Sequence, residues 1–115
     1  MSAEAKPIYF ITGFEKCRNY VRACQTLENV KAEKPELAPR YVKWGAGDRE
    51  IYHSMRPVFL AGLGMQPDDH KTSPLVFQVD EQLKPIKFIG GGDAFCALVQ
   101  EVYDVEPAPL GPKLE

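Results

Sequence analysis

The sequence predicts one α/β domain, with a mixed four-stranded sheet and helices flanking it. Three observations predict it. Four short runs have strand composition, three longer segments repeat apolar residues at helical spacing, and the last two runs lie close enough to form a hairpin. The first two runs are each followed by a helical segment, the kind of connection that parallel neighbours need. A chain of 115 residues with 44% apolar content is large enough for one compact core.

The first strand is Pro7–Thr12 (PIYFIT), apolar, aromatic and followed by Gly13. From Cys17 onward, Val21, Cys24, Leu27 and Val30 recur at helical spacing, with Arg18, Arg22, Gln25 and Glu28 on the other faces. This helix is expected to end before Lys34 and Pro35. Arg40–Trp44 (RYVKW) alternates weakly between Pro39 and the turn-forming Gly45–Asp48, which makes it the second strand. Asp48 can cap a helix through Ile51, Met55 and Leu60, in which Pro57 is expected to force a bend or a break because it lacks an amide donor.

A polar loop (GMQPDDHKT) then leads to SPLVFQVD, where Leu75, Phe77 and Val79 point one way and Val76 the other. KPIKFIG is its hairpin partner, and Phe95, Leu98, Val99 and Val102 mark the last helix. The order is β-α-β-α-β-β-α. Residues 1–6 are read as a flexible N-terminus, 7–105 as the domain and 106–115 as a proline-rich tail that does not pack. Pro109–Leu110–Gly111–Pro112 fits a P-x-x-P pattern, for which a plain disordered end is the simpler explanation.

Charge excludes several function classes. The formal net charge is −2 with both signs interspersed, so no basic stripe points to nucleic acid. There is no apolar run of signal-peptide or membrane-spanning length, and a cytoplasmic location is expected. The three cysteines lack C-x-x-C pairs, and His53 and His70 stand at no metal-ligand spacing from them, so neither a metal site nor a disulfide framework is expected.

The cysteines at 17 and 24 differ in role. Cys24 is in phase with Leu27 and reads as a small apolar filler, too far along the helix from Cys17 for a disulfide, at about 10 Å. Cys17 stands at the helix start, where a thiolate faces the positive end of the helix dipole beside Lys16 and Arg18. Cys96, beside Phe95 in the first turn of the last helix, reads as core packing.

Three stretches carry a family resemblance. CRNYVRACQTL at Cys17–Leu27 is similar to the Cys-Pro-Tyr-Cys helix of the glutaredoxins. Thr72-Ser73-Pro74 followed by LVF resembles their Thr-Val-Pro segment, in which the proline is cis. Ile89-Gly90-Gly91-Gly92-Asp93 resembles their Ile-Gly-Gly-x-Asp opening of the last helix. The match runs in order from Ile8 to Tyr103, and it implies a thioredoxin-like fold of the glutaredoxin type with glutathione as co-substrate.

On that resemblance Cys17 is the nucleophile, and Lys16, Tyr20, Ser73, Pro74, Gly91, Gly92 and Asp93 contact glutathione. Ser73 would pair with its cysteinyl backbone, the Gly91–Gly92 amides would hold the γ-glutamyl carboxylate, and Asp93 would hold the ammonium. From sequence alone, Asp93 could equally be an ordinary helix N-cap. Lys16, Arg56 and Lys71 are candidates for the glycine carboxylate, and Tyr52 falls near a position that supplies a polar side chain.

The departures are specific. Tyr20 replaces the second cysteine, Arg18 the proline, and Phe14 a lysine; the segment between Pro74 and Gly90 is also longer than usual. The resemblance therefore implies a monothiol thiol-disulfide oxidoreductase, acting by glutathionylation or deglutathionylation on glutathionylated or disulfide substrates. The alternative is a redox-inactive thioredoxin-fold interaction module with a protein partner.

Overall fold

The structure, a computed structural model, describes residues 6–110. Its elements are β1 (Ile8–Phe14), α1 (Arg18–Glu33), β2 (Arg40–Ala46), α2 (Arg49–Gly62), a 3₁₀ turn (Pro67–Asp69), β3 (Leu75–Val79), β4 (Pro85–Gly90) and α3 (Gly92–Tyr103). The sheet order is β2-β1-β3-β4, with β1 parallel to β2 and antiparallel to β3, and β3 antiparallel to β4. This is the mixed four-stranded α/β arrangement that the order of elements predicts, and it is compatible with the thioredoxin-like fold that the resemblance implies.

The central strands are buried on both faces, so the alternation of their side chains sorts them into two cores. Tyr9 and Ile11 of β1 and Val76 of β3 pack with α1 and α3, and the Phe95 ring meets Tyr9 edge-on at 5.3 Å. Ile8 and Phe14 of β1 pack on the other face with Leu75, Phe77 and Val79 of β3 and with Tyr52 and Leu60 of α2. The opposed facing of Val76 and its neighbours follows the strand pattern.

Three expectations are corrected. Val21 is 41% exposed and Val102 is 58% exposed. Their places in the core are taken by Tyr20 and Ala23 in α1 and by Cys96 and Tyr103 in α3. The stripe turns because a tyrosine brings more apolar area than a valine and can satisfy its hydroxyl inside, as Tyr103 does against Tyr9.

Of the two outcomes open at Pro57, the structure has the single helix, with the proline inside it and no break. Asp48 caps the first turn by accepting from the Ile51 amide at 2.9 Å, and Leu60 beyond the proline is fully buried. Both halves are thus anchored, and the missing donor costs a single bond opposite the His53 carbonyl.

The third correction is the tail, which packs as far as Ala108. Val105 and Ala108 are buried. The Ala108 amide donates to Thr26 Oγ1 at 3.0 Å and its carbonyl accepts from Arg22 Nε at 2.7 Å, so α1 side chains satisfy the backbone between the prolines. Residues 1–5 of the expected flexible N-terminus and 111–115 of the tail lie outside the described residues, as does the second half of the P-x-x-P stretch. Among the described residues no helix is long and apolar enough to cross a membrane.

A matched pair of substitutions checks the turned face of α3. Val99→Ala is expected to cost about 2 kcal/mol in urea unfolding, while Val102→Ala stays within about 0.5 kcal/mol of the parent. Equal losses would restore the face expected from spacing.

Candidate functional site

The site forms where β1 hands over to α1. Cys17 is the N-cap of α1, with extended backbone at φ −75° and ψ 120°, and its amide donates to the Phe14 carbonyl at 2.9 Å. The half-buried thiol donates to the Ser73 carbonyl at 3.5 Å. Ser73 also receives the Phe14 amide on Oγ, at 3.4 Å. One residue thus contacts the junction twice, and the Ser73–Pro74 peptide is cis.

Gly13 permits this approach. A Cβ there would lie 2.6 Å from Ser73 Oγ and 2.8 Å from Tyr20 Cδ1, closer than any side chain tolerates. Gly13 is registered against Gly45 of β2, where a Cβ would come within 2.9 Å of the Tyr20 hydroxyl. The two glycines make room for the Tyr20 ring. Tyr20 is buried and hydrogen-bonded to Cys24, and burial, then Cys24, pushes its phenol well above the ordinary range. It is therefore a core residue under β1 and β2, not a wall of the groove.

Burial likewise pushes the Cys24 thiol up, which keeps it neutral, and Cys96 is buried with its sulfur 3.7 Å from Thr26 Oγ1. Both are core cysteines, as their spacing suggests. Cys17 alone of the three reaches the surface.

The loop carrying Ser73 is fastened from behind. Buried Tyr52 donates its hydroxyl to the Thr72 carbonyl at 2.5 Å, and burial pushes that phenol up, which keeps the donor protonated. Arg56 Nη1 donates to the carbonyls of Pro67 and His70, each at 2.5 Å, and its Nε approaches His53 Nδ1 at 3.3 Å. His70 Nε2 lies 2.9 Å from the Pro74 carbonyl, and since a carbonyl only accepts, that nitrogen carries the proton. Tyr52 and Arg56 thus position the loop, where sequence offered them as ligand contacts.

The start of α3 closes the other side. A Cβ at Gly92 would sit 3.2 Å from Asn19 Cβ and 3.5 Å from Pro74 Cδ, and one at Gly91 would sit 3.3 Å from His70 Cε1. The glycine pair is wedged between the first turn of α1 and the Pro74 loop. Gly91 is the N-cap, which removes the reading of Asp93 as the cap. The Asp93 carboxylate, 93% exposed, instead lies 3.3 Å from Arg22 Nη1.

Cys17, Ser73, Pro74, Gly91 and Gly92 therefore converge, with Asp93 at the edge; Lys16 and Lys71 are exposed beside the site. Arg22, Asn19 and His70 were missed by sequence reasoning. Arg22 and Asn19 look like ordinary polar positions of an amphipathic helix, and only the approach of α3 gives them neighbours. Among the described residues no three His, Cys, Asp or Glu side chains converge as metal ligands.

Chemically, the junction presents a thiol at a helix start whose first-turn amides have no side-chain cap. A thiolate formed there can leave the Ser73 carbonyl, which repels it, and accept from the amides of the first turn. A scan of protein-family models gives no match to the chain, and a search of curated proteins gives none.

Replacing the Tyr52 hydroxyl tests the loop anchor. Tyr52→Phe is expected to lower stability by about 1–2 kcal/mol, by leaving the Thr72 carbonyl without its donor. Hydrogen exchange should speed up first in residues 66–73; unchanged exchange there would show that the bond does not hold the loop.

Proposed function

We propose that the protein is a glutaredoxin-like thiol-disulfide oxidoreductase that uses glutathione through a single cysteine. The observation that carries this reading is the placing of Cys17 Sγ 3.5 Å from the Ser73 carbonyl, next to a glycine pair packed on Pro74. An extended peptide can pair with Ser73 as with a strand edge, which sets a cysteine sulfur of glutathione beside Cys17. The amides at the start of α3 favour a carboxylate, and Asp93 an ammonium on the same carbon.

In this reaction the Cys17 thiolate attacks the glutathione sulfur of a glutathionylated substrate. A Cys17–glutathione disulfide forms and the substrate leaves as a thiolate, which takes up a proton. A second glutathione thiolate then attacks the bound glutathione sulfur, releasing glutathione disulfide and the Cys17 thiolate. Tyr20 occupies the position of a resolving thiol, so the second step falls to glutathione. The chemistry suits a reducing compartment, and the cytoplasm is the proposed location.

The test is turnover of a small glutathione mixed disulfide. Parent protein and Cys24→Ser should be active, and Cys17→Ser should lose activity to the uncatalysed background. Activity that survives in Cys17→Ser would exclude the mechanism.

The Arg22–Asp93 pair favours a second reading, a redox-inactive interaction module, because it offers the expected ammonium site a cation from the protein itself. An amide-shift titration with reduced glutathione separates the two. Shifts at Ser73, Gly91, Gly92 and Asp93 support the glutathione groove, and none at millimolar ligand supports the module.

A further inference from the structure

At the opposite end of the sheet from Cys17 the protein has a cavity of ≈ 670 Å³. Ile8 at the start of β1, Ala38 before β2, Val42 in β2 and Leu83 in the β3–β4 turn give it apolar walls. The volume lies within the range of small-molecule sites, roughly 300–1,000 Å³.

The turn that supplies Leu83 is firmly built. Asp80 Oδ1 accepts from the amides of Gln82 at 2.9 Å and Lys84 at 3.0 Å, and the Asp80 carbonyl accepts from the Leu83 amide at 2.9 Å. Leu83 stands at φ +65°, in the left-handed region that turns usually give to glycine or asparagine. A large apolar side chain is kept there at the cavity rim, half exposed.

The charges around the cavity are unequal in their commitments. Arg40 donates through Nη1 and Nη2 to the two oxygens of Glu81, at 3.0 Å and 2.7 Å, which ties the turn to β2 and neutralises both groups. Among the described residues Lys31 is the other cation of the lining, and its contact with Glu28 is long, at 3.9 Å, with the two side chains 56% and 46% exposed. Glu28, which is outside the wall, also accepts from the Tyr41 hydroxyl. So loose a pair exchanges readily for another anion.

From these apolar walls and a loosely held cation, Lys31, we propose that the cavity binds a small monocarboxylate with an apolar body. The carboxylate meets Lys31 and the body lies against Ile8, Ala38, Val42 and Leu83. The site is separate from the thiol, at the far end of a seven-residue central strand.

An amide-shift titration with phenylacetate and its neutral amide, phenylacetamide, tests the proposal. Shifts are expected at Ala38, Tyr41, Val42 and Leu83, with the acid bound about threefold more tightly than the amide, the scale of an exposed ion pair. Lys31→Gln should erase that preference, and Leu83→Asn, which suits the left-handed turn, should weaken both probes. Absence of shifts at millimolar probe, shifts elsewhere, equal binding of acid and amide by the parent, or a preference that survives Lys31→Gln would overturn it.

Discussion

The close approach of Ser73 to the end of β1 is the contact on which the rest of the site depends. Ser73 Oγ takes the Phe14 amide and its carbonyl takes the Cys17 thiol, so the loop before β3 is held against the start of α1. Without Gly13 there is no space for that approach, because a single Cβ would collide with both Ser73 and Tyr20. Pro74 then sets the surface on which Gly92 and the first turn of α3 rest. Three segments far apart in the chain thus meet through one backbone vacancy.

The two-sided sheet fixes where this junction stands. β1 runs between β2 and β3, both of its faces are covered, and its last residues carry the junction. A thiol at the end of such a strand inherits the strand's fixed position, whereas one on an open loop would not. Tyr52 and Arg56 extend that order into the 66–73 loop, because each reaches from α2 to backbone carbonyls of that loop.

Much of this was legible in the sequence where the signal is local. Strand alternation in Leu75–Val79 assigned Val76 to one core and its neighbours to the other, and the Cys17 helix start and the Gly91–Gly92 turn were visible as patterns. The helix faces were less legible. Spacing alone allows either Val102 or Tyr103 to point inward, and the choice falls to the ring that can both fill space and satisfy its hydroxyl against Tyr9. The tail misled for a different reason: proline content predicts poor regular structure, but Ala108 needs no regular structure when Thr26 and Arg22 accept and donate to its backbone. The resemblance implies a groove position for Tyr20. Gly13 and Gly45 in register were the signal that its ring belongs below the sheet, a signal that appears only once β1 and β2 are paired.

Arg22 connects this region to the domain's end, and the strengths of its two contacts differ. Its bond to the Ala108 carbonyl is short, at 2.7 Å, and fixes a buried segment. Its contact with Asp93 is longer, at 3.3 Å, and the carboxylate is almost fully in water, where solvent screens the attraction. The first contact therefore governs where Arg22 sits, and the second follows from it. An incoming ammonium at Asp93 would displace a weak, screened partner and leave the guanidinium held by Ala108. The paired carboxylate is thus a modest barrier to binding at the start of α3, and the arginine stays beside it as a second charge that any ligand with a carboxylate would meet.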